Sequence, residues 1–245
     1  MKPAEPQRTT GPGPTHGLVL AAFTLTTFLS AVLLFSVQPL FAKMVLPTLG
    51  GTPAVWAVAL LFFQTALLAG YCYAHVLVAR LPLATAGLVH LGVSLVALVS
   101  LPIGIPAGWG EPPASEPYFW QLGLFAGAIG LPFVAVAANA PLLQAWFARS
   151  GHSQASDPYF LYAASNLGSL LSLLSFPFLL EPVFGLSTLA KLWTGGYVLL
   201  IAAIGLCYWL VRTAADAPPA AAHGKARQSA AVPTAGDRMS WVGLA

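Results

Sequence analysis

Charged side chains are scarce in this chain of 245 residues, where Asp, Glu, Lys and Arg together make up 7% of the sequence. A soluble domain carries about 25% of such residues, so the composition excludes an ordinary water-soluble globular protein. Hydrophobic residues make up 58%, and a membrane-spanning helix needs about 20 predominantly apolar residues in a row. The sequence therefore predicts an integral membrane protein whose main partner is the lipid bilayer.

Acidic residues are the rarest charged class, with 7 Asp and Glu in all. They are scattered, so no pair of carboxylates is placed for general acid and base catalysis. The sequence also lacks a glycine-rich nucleotide loop, a Walker A lysine and a metalloprotease HExxH motif. We expect no cofactor and no metal, and we do not expect this chain alone to be a catalyst. Outside the ends of the chain the acids are Glu111, Glu116, Asp157 and Glu181, with Asp216 at the start of the C-terminal linker.

Cysteine and basic clusters are also nearly absent. Cys72 and Cys207 both lie in apolar segments and lack the spacing of a metal site or redox pair, so we interpret both as small buried hydrophobic residues. The basic residues stand singly and do not alternate with aromatic residues, as they would in a protein that binds single-stranded nucleic acid. We therefore expect no nucleic-acid partner.

Long apolar segments are what the sequence does contain. They predict an all-α fold, a polytopic bundle of six transmembrane helices within residues 18–211. The first segment is longer than the apolar region of a signal peptide, so we interpret it as a retained span. The predicted spans are 18–37, 55–77, 83–103, 119–140 with a bend at Pro132 and an extension to 147, 159–180, and 188–211.

The two tails have a different composition. Residues 1–17 are rich in Pro and Gly and predict a disordered N-terminal tail. Residues 212–240 form an Ala/Pro-rich linker with scattered charge. Residues 241–245 are apolar again, which indicates the start of a further, truncated span.

Residues 38–54 join the first two spans. Their Pro and Gly content argues against helix throughout, while their apolar residues are unusual for a water-exposed loop. We predict a structured turn at the outer membrane surface. Its candidate functional residues are Gln38, Lys43, Gly50, Gly51 and Trp56.

The positions of Lys and Arg predict the orientation, because cytoplasmic loops are enriched in these residues. With six spans and a cytoplasmic N-terminus, all but two of the 10 Lys and Arg residues fall on the cytoplasmic side. The exceptions are Lys43 and Lys191, which we interpret as lipid-phosphate ligands or as snorkelling anchors. Glu181 lies on the same side of the membrane as these two lysines, opposite the cytoplasm, and we interpret it as a lone acid in contact with solvent. The C-terminal linker is then cytoplasmic as well.

Polar residues inside the predicted spans are costly unless they face protein or water, and we select three of them as candidates. They are Gln64, His90 and Asn166. Since His90 and Asn166 lie at similar depth, they could meet and line a cavity. Alternatively, each ties one helix to another through a hydrogen bond, and we favour this for each residue taken alone. Further candidate cavity-lining residues are Tyr162, Ser165 and Ser169.

The fifth span carries a stripe of small residues, Ala164, Gly168 and Ser172, spaced four apart. Such a stripe lets a neighbouring helix approach closely. Gly123 and Gly127 in the fourth span, also four apart, offer a partner surface. Helix packing is the favoured interpretation. The alternative is that the Ser and Asn residues of the fifth span line a substrate path.

Two stretches, residues 37–75 and 157–182, together resemble the membrane half of bacterial fused spermidine-synthase-like proteins. The resemblance implies a major-facilitator-like fold in a bacterial inner membrane. It also implies polyamine metabolism or transport and a soluble aminopropyltransferase-like domain as partner. The catalytic residues of that family belong to the soluble domain, so none is assigned to this sequence.

Three functions stay open. The first is a membrane module that anchors an aminopropyltransferase-like domain and supplies or exports its substrate or product. The second is half of a transporter for a small solute, cationic or not, built from two three-span repeats. Two short motifs are consistent with such repeats. The first is Pro39-Leu40-Phe41 before Lys43, and the second is Pro141-Leu142-Leu143 before Arg149. The third is a non-catalytic membrane assembly protein.

Overall fold

The computed structural model of the protein describes residues 14–216 except 107, 114, 116, 151, 153 and 156, with side chains for 17–213. All regular secondary structure in these residues is helical, and no strand occurs among them. Six helices are long and apolar enough to cross a membrane, so the predicted all-α fold with six candidate membrane spans is confirmed. The predicted N-terminal tail up to residue 13 and the linker and further span after residue 216 lie outside the described residues.

We number the six spans in chain order and keep these numbers below. Span one is the helix Pro14–Leu49, and span two is Pro53–Arg80. Span three is Leu83–Val96, extended by the 3₁₀ turn Ala97–Ser100. Span four joins Pro117–Phe125, the π turn Ala126–Gly130 and Leu131–Phe147. Span five joins Tyr159–Ser175, the π turn Phe176–Leu180 and Glu181–Val183, and span six is Leu186–Asp216.

The predicted turn over residues 38–54 is wrong in its extent. Span one stays helical to Leu49 and contains both Pro39 and Pro47. The apolar residues of this segment explain the difference, because Leu40, Phe41 and Val45 share one helix face and are buried against the bundle. Proline is tolerated in membrane helices when neighbouring groups satisfy the freed backbone.

The true connection between spans one and two is short. Gly50 ends span one with a positive φ of 73°, which glycine adopts without strain, and its N–H bonds to the carbonyl of Leu46 at 2.9 Å. Thr52 begins span two, since its hydroxyl accepts a hydrogen bond from the Val55 N–H at 3.4 Å, and Pro53 follows as the first helical residue. Only residues 50–52 lie between the two helices.

Other boundaries differ by a few residues. Span one begins at Pro14, inside the predicted tail, and span six continues to Asp216, inside the predicted linker. The predicted bend at Pro132 corresponds to a π turn that ends just before it, and a second π turn contains Pro177. Prolines and π turns are both common causes of kinks in helices.

Span four lies at the centre of the bundle and packs against spans one, two and three. Phenylalanine rings fill these contacts. The rings of Phe41 and Phe125 lie 4.9 Å apart between their centroids, and those of Phe63 and Phe133 lie 5.3 Å apart. Lipid is as apolar as these side chains, so the rings hold the helices together through van der Waals packing and through the favourable edge-to-face geometry of aromatic pairs.

Span six packs against spans one and three, and side-chain hydrogen bonds mark these contacts. The Trp193 indole N–H donates to the Leu33 carbonyl at 3.0 Å. The Tyr208 hydroxyl donates to the Ala84 carbonyl at 3.1 Å. Cys207 is buried beside span one as predicted, but Cys72 is exposed on span two, which corrects its interpretation as a buried residue.

The small-residue stripe of span five packs on span one, which corrects the predicted pairing with span four. A Cβ on Gly168 would lie 2.6 Å from the Phe28 carbonyl oxygen and 3.1 Å from the Ala31 Cβ. Ala164 and Ser172 are buried on either side of it. The stripe therefore brings the backbones of spans one and five into direct contact.

The predicted partners Gly123 and Gly127 face a tryptophan instead. A Cβ on Gly123 would lie 3.3 Å from the Trp109 ring, and one on Gly127 would lie 3.6 Å from it. Trp109 belongs to the segment between spans three and four. The glycines of span four thus make room for an indole ring that folds back over the helix.

A second close contact repeats the first on another pair of helices. A Cβ on Gly70 of span two would lie 2.9 Å from the Val134 carbonyl oxygen and 2.7 Å from the Ala137 Cβ of span four. In both contacts the glycine packs against a backbone carbonyl of the neighbouring helix and against the Cβ of the alanine three residues later on that helix. Ala66 and Ala74 flank Gly70 and are buried, as Ala164 and Ser172 flank Gly168 on span five.

Candidate functional site

An open cleft lies between spans one, two and five at the end of the bundle that carries Glu181. We call this end the Glu181 end and the opposite one the Arg80 end. The cleft volume is about 480 Å³, within the range of about 300–1,000 Å³ typical of ligand pockets. It is lined by Gln38, Pro39, Ala42, Lys43, Leu46, Trp56, Ala59, Leu60, Phe63, Leu173, Phe176, Pro177 and Glu181.

The cleft has apolar walls and one charged pair. The Lys43 ammonium forms a salt bridge with Oε1 of Glu181, and the two side chains are 39% and 36% exposed. Both residues line the cleft. Lys43 lies one turn after Pro39 on span one, and Glu181 directly follows the π turn that contains Pro177. This pairing corrects the sequence interpretation of Glu181 as a lone solvated acid.

The predicted connector residues divide between three places. Gln38, Lys43 and Trp56 line the cleft. Gly50 lines a narrow crevice next to it, beside Trp56, and Gly51 lies in the short connection to span two. Three of the five candidate connector residues thus line the cleft, Gln38 and Lys43 on span one and Trp56 on span two.

His90 does not meet Asn166, which corrects the predicted pair. The His90 side chain is fully buried, and its Nε2 lies 2.8 Å from Oδ1 of Asn139. Span three, which carries His90, packs against span four, which carries Asn139. Asn166 is exposed on span five. His90 therefore ties two helices together, as in the alternative interpretation.

The other predicted cavity residues do not enclose a cavity. Gln64 and Tyr162 are exposed, and Ser165 and Ser169 are half-buried. The Ser169 hydroxyl donates to the Asn166 carbonyl of its own helix at 2.9 Å. These side chains lie on the surface of the bundle.

The polar face of span five nevertheless leads to the cleft. Tyr162, Asn166, Ser169 and Leu173 follow each other at helical spacing and share one face, and Leu173 lines the cleft. On span two, Gln64 lies one turn after Leu60, another lining residue. Exposed polar side chains at membrane depth are costly against lipid, so these faces are suited to water or protein.

The chemistry available in the cleft is that of binding. Within the described part of the chain, no group of three or more His, Cys, Asp and Glu side chains could hold a metal ion. The cleft offers one carboxylate, one ammonium, the Gln38 amide and the Trp56 indole above apolar walls. Such a site can hold a small molecule that has a charged group and an apolar body.

Sequence reasoning missed the Lys43–Glu181 pair and Asn139. Glu181 and Lys43 were both predicted for the same membrane surface, and their opposite charges were a usable signal for a pair. Asn139 is a single amide in the apolar segment AANAP of span four. Its intramembrane position was the same signal that selected Gln64 and Asn166.

Comparisons of this chain with protein-family models, with curated proteins and with solved structures found no match. They neither support nor oppose the resemblance to spermidine-synthase-like fusions. All residues that line the cleft fall within 38–63 and 173–181, and both ranges lie inside the two stretches that carry that resemblance.

Proposed function

We propose that this chain is a membrane transport module, the membrane half of a spermidine-synthase-like fusion, and that its cleft binds a small organic cation. The observation that carries the proposal is the Lys43–Glu181 salt bridge in the apolar-walled cleft between spans one, two and five. A carboxylate at such a position is a counter-ion for a solute amine. When no solute is bound, the Lys43 ammonium pairs with this carboxylate instead.

Binding is an exchange of one ammonium for another. The solute amine displaces the Lys43 ammonium from Glu181, so the carboxylate is paired in both states. Trp56, which is 46% exposed, offers its ring face to the cation. Leu60, Phe63 and Leu173 line the cleft and cover the methylene chain of an aliphatic amine, whose removal from water is favourable.

The repeated glycine contact supports a carrier-like architecture. Gly168 of span five packs on span one as Gly70 of span two packs on span four. This correspondence is the one expected when spans one to three and four to six are repeats of each other. We therefore propose a major-facilitator-like half-carrier in a bacterial inner membrane, with a cytoplasmic N-terminus.

A binding assay with the purified chain in lipid nanodiscs and labelled spermidine tests the proposed site. Glu181→Gln is expected to weaken binding about tenfold or more, because a hydrogen bond to a charged group contributes about 1.5–3 kcal/mol. Lys43→Met is expected to strengthen binding by up to about fivefold, because it removes a competing ion pair of about 0.2–1 kcal/mol.

Glu111→Gln is the matched control, since Glu111 is an exposed acid outside the spans and its loss is expected to leave binding unchanged. Equal affinities of the wild type, Glu181→Gln and Lys43→Met would contradict the proposed site. Uptake of spermidine into vesicles containing the chain then tests transport. Binding without uptake would reduce the role to that of a binding and anchoring module.

A further inference from the structure

A second polar site lies away from the cleft, where three buried side-chain atoms have no hydrogen-bond partner. They are Oη of Tyr73 on span two, Nδ1 of His90 on span three and Nε1 of Trp146 on span four. The ring centroids of Tyr73 and Trp146 lie 5.9 and 6.4 Å from that of His90. The Tyr73 and Trp146 rings are therefore both neighbours of the His90 ring.

The depth of this group makes the missing partners costly. Tyr73 lies seven residues before the end of span two and His90 seven residues after the start of span three. Both lie about 10 Å inside the Arg80 end at 1.5 Å per residue. Lipid supplies no hydrogen bonds at this depth, and a buried polar group without a partner costs about 1–3 kcal/mol. Buried polar groups in native proteins are nearly always paired.

The chemistry of the three atoms is complementary to water. The Nε2 of His90 faces the Asn139 carbonyl oxygen, so Nε2 carries the proton and Nδ1 is an acceptor. The Trp146 indole is a donor only, and the Tyr73 hydroxyl can donate or accept. Water can donate to Nδ1 and accept from the indole, and it can donate to or accept from the hydroxyl. Buried waters typically make about three such bonds.

We propose that Tyr73, His90 and Trp146 form a binding site for one or two ordered water molecules inside the bundle. The water ties spans two, three and four together beside the direct His90–Asn139 bond. Tyr208 of span six lies beside Trp146, nearer the Arg80 end. The Trp146 ring contacts the Tyr208 ring at 6.3 Å between centroids, and Arg212 Nη1 donates to the Tyr208 hydroxyl at 3.4 Å. The proposal does not depend on the function of the cleft.

The melting temperature of Tyr73→Phe distinguishes a site that holds water from a site that does not. If water is bound, Tyr73→Phe breaks a hydrogen bond and lowers the melting temperature in lipid nanodiscs by about 2–4 °C. If the site is empty, Tyr73→Phe removes an unpaired hydroxyl and raises the melting temperature. Tyr71→Phe is the matched control, because Tyr71 lies two residues earlier on the same span and is exposed. A melting temperature of Tyr73→Phe equal to or above that of Tyr71→Phe would overturn the proposal.

A spectroscopic measurement on the unaltered chain provides an independent test. In ¹⁵N-histidine-labelled protein, solid-state NMR with magnetisation transfer from water reports which imidazole rings contact water. We expect transfer to the His90 ring, with its signal assigned by its loss in His90→Phe. His75, which is exposed near the end of span two, is the positive control. Transfer to His75 without transfer to His90 would overturn the water site.

Discussion

The ammonium of Lys43 on span one pairs with the carboxylate of Glu181 at the end of span five, and this pair lies on the surface of the cleft. The two residues come from opposite parts of the chain, and the packing of span five on span one brings them together. The pair is thus both a tie between two helices and the charged part of the proposed binding site.

Reversal of the Lys43–Glu181 pair tests its contribution to stability. Because both side chains are more than one-third exposed, we expect Lys43→Glu alone to lower the free energy of unfolding by about 0.2–1 kcal/mol. The double variant Lys43→Glu/Glu181→Lys should recover that loss. Thermal unfolding in detergent micelles measures both, and Glu111→Lys serves as a control for the added charge. A double variant no more stable than Lys43→Glu would contradict the ion pair.

The His90–Asn139 bond is accessible to a double-mutant cycle. His90→Leu or Asn139→Leu alone leaves one buried polar group without its partner, and each is expected to cost about 1–3 kcal/mol. The coupling free energy should be about 0.6 kcal/mol and at most about 1.7 kcal/mol, the range found for hydrogen bonds between membrane helices. Reversible unfolding in mixed micelles gives the values. Asn166→Leu, at an exposed position, should show no coupling to His90→Leu, and equal coupling would contradict the observed partner.

The two close glycine contacts predict steric effects of similar size. Gly168→Ala and Gly70→Ala each place a Cβ within 3.0 Å of a backbone carbonyl on the neighbouring helix, and we expect losses of about 1–3 kcal/mol in unfolding free energy. Gly205→Ala is the control, since nothing lies within 4 Å of its Cβ position and alanine favours helix. Thermal unfolding compares the three variants. A Gly168→Ala variant as stable as Gly205→Ala would exclude the close approach of spans one and five.

The predicted orientation is tested by the labelling of single cysteines in a Cys72→Ser background, where Cys207 stays buried. We expect a membrane-impermeant maleimide to label Glu111→Cys from outside intact cells. Arg149→Cys should react only after the membrane is opened, because the placement of Lys and Arg predicts a cytoplasmic position. The reverse pattern would contradict the cytoplasmic N-terminus.

The sequence was a good guide to the number and kind of elements. Lipid requires every backbone group in a span to bond within its own helix, so apolar length alone identified six helices and, apart from the end of span one, placed their ends within a few residues. It was a poor guide at residues 38–54. There, local Pro and Gly content indicated a turn, while burial of Phe41 and Val45 against other spans keeps the segment helical.

The sequence did not predict which helices pack against each other. Hydropathy, the small-residue stripe around Gly168 and the intramembrane position of His90 could all be read from the sequence, because each is a property of one helix. Which helix each feature meets depends on how six similar apolar rods are arranged, and many arrangements satisfy the same hydropathy. Only the tertiary structure placed Gly168 on span one, His90 beside Asn139, and Lys43 opposite Glu181.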